Sequence, residues 1–211
     1  MAIDSRPSEP YLARNGQIAL GPGSRLDAFV DGTGEPGSSA AILIHDGDGP
    51  RTIGRLIYGG EPLRAARLAD PPPLAQSVRL PDPVLRLAQR AELAIMAAAT
   101  NDEFRSDGVW RPNPPPGGLK PLFSASLGRT VVLGLVNNTQ KPAIVRLRGL
   151  SARLLDRLDD GWKPYWLDTI AVDKGQTARI AFVPEARGEY VIEGFAPEWG
   201  SSLWLRRFVV T

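Results

Sequence analysis

NNTQKPAIVRLRGLSARLLDRLDDGWKPYWLDT, residues 137–169, is the stretch that decides the fold. It holds short apolar runs at 143–147 (AIVRL) and 152–158 (ARLLDRL), and a third run opens at Tyr165. Asn137-Asn138 stands before the first run and Asp159-Asp160-Gly161 before the third. Asn and Asp bond their own backbone, and glycine accepts positive φ, so such groups close tight turns between strands.

Outward from this stretch the pattern repeats. Upstream lies 130–136 (TVVLGLV); downstream lie 165–172, 177–183 (TARIAFV), 189–195 (EYVIEGF) and 203–210 (LWLRRFVV). Turns fall at Lys174-Gly175 and Arg187-Gly188. Seven short strands at this spacing predict an antiparallel sandwich of two packed sheets. In the N-terminal part, 25–30, 40–45 and 52–58 read as strands, and the Pro-rich segment 61–83 reads as an extended linker. Residues 84–100 (VLRLAQRAELAIMAAAT in 84–100) are ambiguous: their Ala, Leu and Arg favour a helix, while 92–98 fits a strand equally well. Residues 110–118 (WRPNPPPGG) form another rigid, turn-rich piece.

Composition agrees and narrows the chemistry. The 211 residues include 22 Gly and 20 Pro, which suits a β-protein with many turns. There is no Cys and one His, so a zinc finger, an iron–sulfur cluster, a disulfide framework and a Cys nucleophile are all excluded within the chain. Basic residues number 25 against 23 acidic ones, a balance too even and too diffuse to indicate nucleic acid. No run approaches the roughly 20 apolar residues of a membrane span. The polar start MAIDSRPSEPYLARNG lacks the apolar core of a signal peptide, so the chain reads as cytosolic or as a mature or excised piece of an exported protein.

The stretch 137–169, with its N-N-T-Q-K-P turn and D-D-G-W-K-P-Y-W-L-D-T hairpin, resembles the third cupredoxin domain of the multicopper oxidases, the laccase-like and copper-resistance oxidases. The resemblance continues through GQTARIAFVPEARGEYVI to the closing strand at 208–210. Upstream, IALGPGSRLDAFVD (18–31) is similar to a motif of the family's second domain. The implied fold is all-β: a complete cupredoxin-like Greek-key β-sandwich over 84–211, a linker at 71–83, and part of a second cupredoxin domain over 1–70. No stretch resembles the family's first domain. A second copy of the chain, or N-terminal cupredoxin domains, are therefore the expected partners, and the family implies a periplasmic location.

The resemblance also locates the family's copper ligands. Its first histidine cluster falls on Ala143, Arg146 and Arg148. Its H-C-H-x-x-x-H stretch falls on Glu193, Gly194, Phe195 and Trp199, and its axial Met on Trp204. A blue-copper centre takes two imidazoles and a thiolate, and an always-protonated Arg repels a copper cation. No copper cofactor is expected, and the implied function is a copper-free scaffold with a structural or binding role. The alternative is the C-terminal portion of a multicopper oxidase whose activity needs other chains or domains. Arg146 or Arg148 is expected to pair with Glu193, and Trp199 and Trp204 to fill the vacated pocket.

Other candidates carry paired readings. His45 beside Asp46 and Asp48 is either a metal site or a strand-end histidine next to a turn. Gly21-Pro22-Gly23 has the glycines of a phosphate loop, but a strand follows it rather than a helix, so it reads as a turn. Asp159, Asp160 and Asp168 are either catalytic carboxylates or hairpin capping groups. Trp162, Trp166, Trp199 and Trp204, interleaved with Lys163, Arg206 and Arg207, form either a partner-binding surface or core filling.

Overall fold

A computed structural model describes residues 2–46, 49–61, 69–75, 79–96, 104–106, 120–158, 161–195 and 203–211, with 104–106 and 203 described by backbone alone. The chain forms two compact units, one of Met1–Asp27 with Pro73–Thr211 and one of Ala28–Pro72. Residues up to Asp27 thus group with the C-terminal sandwich, whereas the sequence reading placed them with 28–70.

In chain order the strands are β1 (Ala2–Ile3), β2 (Arg6–Pro7), β3 (Leu26–Asp27), β4 (Ser39–His45), β5 (Pro50–Ile57), β6 (Gln89–Ile95), β7 (Phe104–Ser106) and β8 (Ser124–Ala125). Then follow β9 (Val131–Asn137), β10 (Ala143–Leu147), β11 (Ala152–Leu155), β12 (Trp162–Leu167), β13 (Thr169–Val172), β14 (Thr177–Phe182), β15 (Gly188–Phe195) and β16 (Leu203–Val210). The larger unit packs a sheet ordered β12-β11-β14-β9-β6 on one ordered β13-β10-β15-β16-β7, with β8 also paired to β16. A small sheet β2-β1-β3 belongs to the same unit.

The two-residue alternation of the strands builds the core between these sheets. Val131, Leu133 and Leu135 of β9 face inward with Ile180 and Phe182 of β14, against Val145 of β10 and Ile192 of β15. Each such side chain, fully buried, contributes about 1.5–3 kcal/mol. Phe208 is the aromatic centre: Phe123 and Tyr190 stack on it at centroid distances of 4.8 and 5.2 Å. At the β9–β10 corner the buried Asn137 amide donates to the carbonyls of Lys141 (2.7 Å) and Val172 (3.0 Å) and accepts the Thr139 N–H (3.0 Å). The expected Asn137-Asn138 turn is therefore held by its own side chain.

One open reading is resolved and three expectations are corrected. Of the ambiguous 84–100, residues 84–96 resolve into a 3-10 turn, Leu85–Leu87, and the strand β6, because Leu93 and Ile95 alternate into the core beside β9; 97–100 lie outside the described residues. The sandwich is mixed rather than antiparallel: β6 lies parallel to β9 and β8 parallel to β16. Neither pair is joined by a tight hairpin, so nothing forces the antiparallel sense. The expected strand 25–30 shrinks to Leu26–Asp27, whose partner β1 is itself two residues long. Finally, 165–172 is two strands, β12 and β13, lying in different sheets.

The break between β12 and β13 has a distant cause. Asp4, 3% exposed, accepts the backbone N–H of Asp168 (3.0 Å) and Thr169 (3.1 Å) through Oδ2, and that of Arg25 (3.0 Å) through Oδ1. Arg25 in turn donates to the Asp168 carboxylate at 2.7 Å. The Asp168 and Arg25 backbones are thereby tied to the β1–β2 turn, where Asp4 and Ser5 both take positive φ (49° and 64°) as a two-residue hairpin loop requires. Asp4→Asn loses charge-assisted bonds at a buried site. It is expected to cost about 2 kcal/mol, read as a lower Tm in thermal unfolding.

The smaller unit is a hairpin of β4 and β5 with a bulge between Ile42 and Leu43. Tyr58 follows it and exchanges backbone bonds with Gly37 (2.7 Å) and Ser38 (3.0 Å). A Cβ on Gly34 would collide with the Tyr58 ring, so only glycine lets the ring lie there. No helix among the described residues is long and apolar enough to cross a membrane.

Candidate functional site

β10, β15 and β16 are neighbours in one sheet, and their register brings the singled-out residues together. Arg146 stands opposite Glu193, Val145 opposite Gly194 and Ile144 opposite Phe195. Glu193 stands opposite Leu205 and Gly194 opposite Trp204. Because side chains alternate across a strand, the set divides between the two faces of the sheet. Ala143, Gly194 and Trp204 lie on the core side, while Arg146, Arg148, Glu193 and Phe195 lie on the other. Trp199 falls outside the described residues.

On the core side, Trp204 is 6% exposed and packs in the main hydrophobic cluster with Ala143. Its indole lies where a Cβ on Gly194 would have to be. Glycine at 194 and tryptophan at 204 are thus one steric unit: the ring enters because the opposite residue has no side chain. This face offers a methyl, a bare backbone and an indole whose only polar atom is a donor.

On the opposite face, Glu193 is 5% exposed and its carboxylate is paired with the Arg148 guanidinium. Of the two expected arginines, Arg148 makes the pair. Arg146 instead lays its guanidinium over the Phe195 ring, 6.0 Å from the centroid, and its buried Nε has no acceptor. Gly23, at φ 88°, packs so closely on this guanidinium that a Cβ there would overlap it. The Gly21-Pro22-Gly23 segment is a turn, closed by a bond from Ser24 N–H to the Gly21 carbonyl (2.9 Å). It covers Ile144 and Ala171 on this face of the sheet. A cation–π contact, a salt bridge and a glycine turn can fix three strands in register; they offer no nucleophile and no redox group.

The residues at these positions do not fit copper. Type 1 copper needs a thiolate and two imidazoles, and the chain has no Cys and a single His. Among the described residues no group of three or more His, Cys, Asp or Glu could hold a metal ion.

The remaining candidates are placed as follows. His45 ends β4, and its neighbour Asp46 accepts from Arg51 Nε (3.2 Å) and Nη2; Asp48 lies outside the described residues. The Arg51 guanidinium holds the Asp46 carboxyl below the usual carboxylate range. Asp168 serves the β12–β13 break, and Asp159 and Asp160 lie outside the described residues. Trp166 is buried and stacks with Arg153 at 4.3 Å, Trp162 packs on a small apolar cluster, Lys163 pairs with Asp156 (2.9 Å) and Arg207 with Glu189. Trp166 and Trp204 therefore follow the core reading.

Sequence reasoning missed Asp4 and the Arg153–Trp166 stack. Both depend on tertiary neighbours, and the one local signal is Arg153, a charge inside an apolar run.

The two packed sheets form a cupredoxin-like β-sandwich. No protein-family model matches the chain, and no curated protein matches it. Solved structures do. Lac15 from a marine microbial metagenome matches with a TM-score of 0.56 and 19% identity over 78% of this chain and 37% of its own. A multi-copper oxidase from Pseudomonas thermotolerans matches with 0.56 and 18%, covering 84% and 41%. The McoA multicopper oxidase of the hyperthermophile Aquifex aeolicus gives 0.56 and 16%, covering 84% and 41%. What is shared is the fold, and the chain spans about two fifths of the length of these structures.

Proposed function

We propose that this chain is a cupredoxin-like module that works without copper, as a structural or binding element rather than an oxidase. The observation that carries this reading is the Gly194–Trp204 pair: an indole fills the core side of the sheet at the two positions where the resemblance puts a thiolate and a thioether. The Arg148–Glu193 pair and the Arg146–Phe195 contact support it from the other face. A cation that stacks on a ring and a carboxylate closed by a guanidinium do the register-fixing work that shared metal ligation would do. An exported, periplasmic setting goes with this reading, as does completion of the unit 28–72 by another copy or by N-terminal cupredoxin domains.

The second reading, a portion of an oxidoreductase whose activity lies in other chains or domains, is favoured by one fact: the chain spans only 37–41% of the oxidases it matches. One assay tests the copper-free proposal directly. Phenol oxidation by the chain after copper loading is expected to equal that of the same free copper in buffer. Turnover above that background, with a blue thiolate-to-copper band, would overturn the proposal.

A further inference from the structure

The unit Ala28–Pro72 presents a β-ribbon that is incomplete on physical grounds. Two strands alone are marginally stable in water, and three or more strands with a covered face are needed. Here apolar side chains stand out on both faces of the hairpin. Ile42 (44% exposed) and Ile44 (39%) lie on one face, and Leu43 (47%) lies on the other. Among the described residues no third strand pairs with either edge.

The two edges differ. β5 begins with Pro50, which has no N–H to give, carries Arg51 and Arg55, and is bulged against Ile42 and Leu43. Proline, charge and a bulge are the devices that keep an edge strand from pairing. β4 has none of them: from Ser39 to Ile44 it contains no charge, no proline and no glycine. An uncharged edge strand of this composition is a template for another strand.

We propose that β4 is a self-association edge, pairing antiparallel with β4 of a second copy about a two-fold axis through Ile42. The proposal rests on the reading that the unit 28–72 is completed by a partner, and it commits that partner to be the same chain. The sequence Ala40-Ala41-Ile42-Leu43-Ile44 is self-complementary in this register. Ala40 meets Ile44 of the second copy, Ala41 meets Leu43, and Ile42 meets itself, so every small residue faces a large one. Cross-strand neighbours of this kind are the unit of sheet stabilisation, and a two-fold contact repeats each of them. The product is a four-stranded sheet with the guarded β5 strands outermost. Arg51 and Arg55 are then kept away from their copies, where like charges would repel.

The absence of cysteine from the chain makes a clean test. In the full 211-residue chain, Ile42→Cys places two thiols at the axis, where opposed Cα atoms about 4.5–5.5 Å apart suit a disulfide. Mild oxidation is expected to cross-link Ile42→Cys rapidly. Arg55→Cys, separated from its copy by three strand spacings or roughly 14 Å, is not expected to cross-link. Sedimentation of the native chain is expected to show a concentration-dependent dimer that Ile42→Lys weakens at least about tenfold, since like charges directly opposite are destabilising. A native chain that stays monomeric at high concentration, a dimer indifferent to Ile42→Lys, or cross-linking at residue 55 in preference to 42 would each overturn the proposal. Neither readout involves copper, so failure here leaves the metal-free reading untouched, and copper binding would leave this one standing.

Discussion

Gly194→Val is expected to lower stability by about 3 kcal/mol or more, and the Tm by about 10 °C, because the new side chain must occupy the volume of the Trp204 indole. Overpacking of a well-packed core ordinarily costs about 1–3 kcal/mol, and the upper end applies because nothing nearby gives cheaply. The valine would press on a six-per-cent-exposed ring that shares a buried cluster with Ala143, Val145 and Ile192. The cause is tested by a double-mutant cycle in thermal or denaturant unfolding. Trp204→Ala alone should cost about 3–5 kcal/mol by leaving a cavity. Combined with Gly194→Val it should cost clearly less than the sum, because the valine then fills space that the ring has left. Additive losses would show that the two residues do not share one volume.

Arg148→Leu is expected to cost about 3 kcal/mol, the lower end of the range for breaking a buried pair, since the group left behind is the buried Glu193 carboxylate. The asymmetry of the pair makes this specific. Arg148 is half-exposed, so Glu193→Leu strands only a guanidinium that water can reach and should cost less, about 1 kcal/mol. The double substitution Arg148→Leu with Glu193→Leu should return to within about 1 kcal/mol of the native chain, because an apolar pair replaces an ion pair without leaving a charge behind. Chemical denaturation of the three variants measures all of this. Equal losses for the two single variants would contradict the burial of Glu193.

Much of the sandwich is legible in the sequence because its signals are local. The runs at β10 and β16 have the expected bounds, β15 differs by one residue, the turn at 137–138 is held by the Asn137 side chain, that at 174–175 uses a positive φ at Gly175, and Gly188 of the expected 187–188 turn instead opens β15. The juxtaposition of Arg148 and Glu193 was also within reach, since the resemblance sets the two ligand stretches side by side. What escapes is whatever depends on residues far apart. The strand 165–172 looks continuous until Asp4, 164 positions away, takes the N–H groups of Asp168 and Thr169 and turns the chain from one sheet to the other. The parallel pairing of β6 on β9 has no local signature, because a long connection leaves the sense of the strand open. The same holds for Arg153, a charge inside an apolar strand that only makes sense once Trp166 lies across it.

The proposed copper-free role rests on residues that lack the thiolate and imidazoles of a blue-copper site and that hold the sheet in their own way. The most direct measurement is copper per chain after equilibration of the purified protein with Cu(I) without oxygen, and separately with Cu(II). Free metal is removed, and visible and electron paramagnetic resonance spectra are recorded alongside. Copper far below one ion per chain and no thiolate-to-copper band are expected. One tightly held copper per chain, with that band, would contradict the copper-free role.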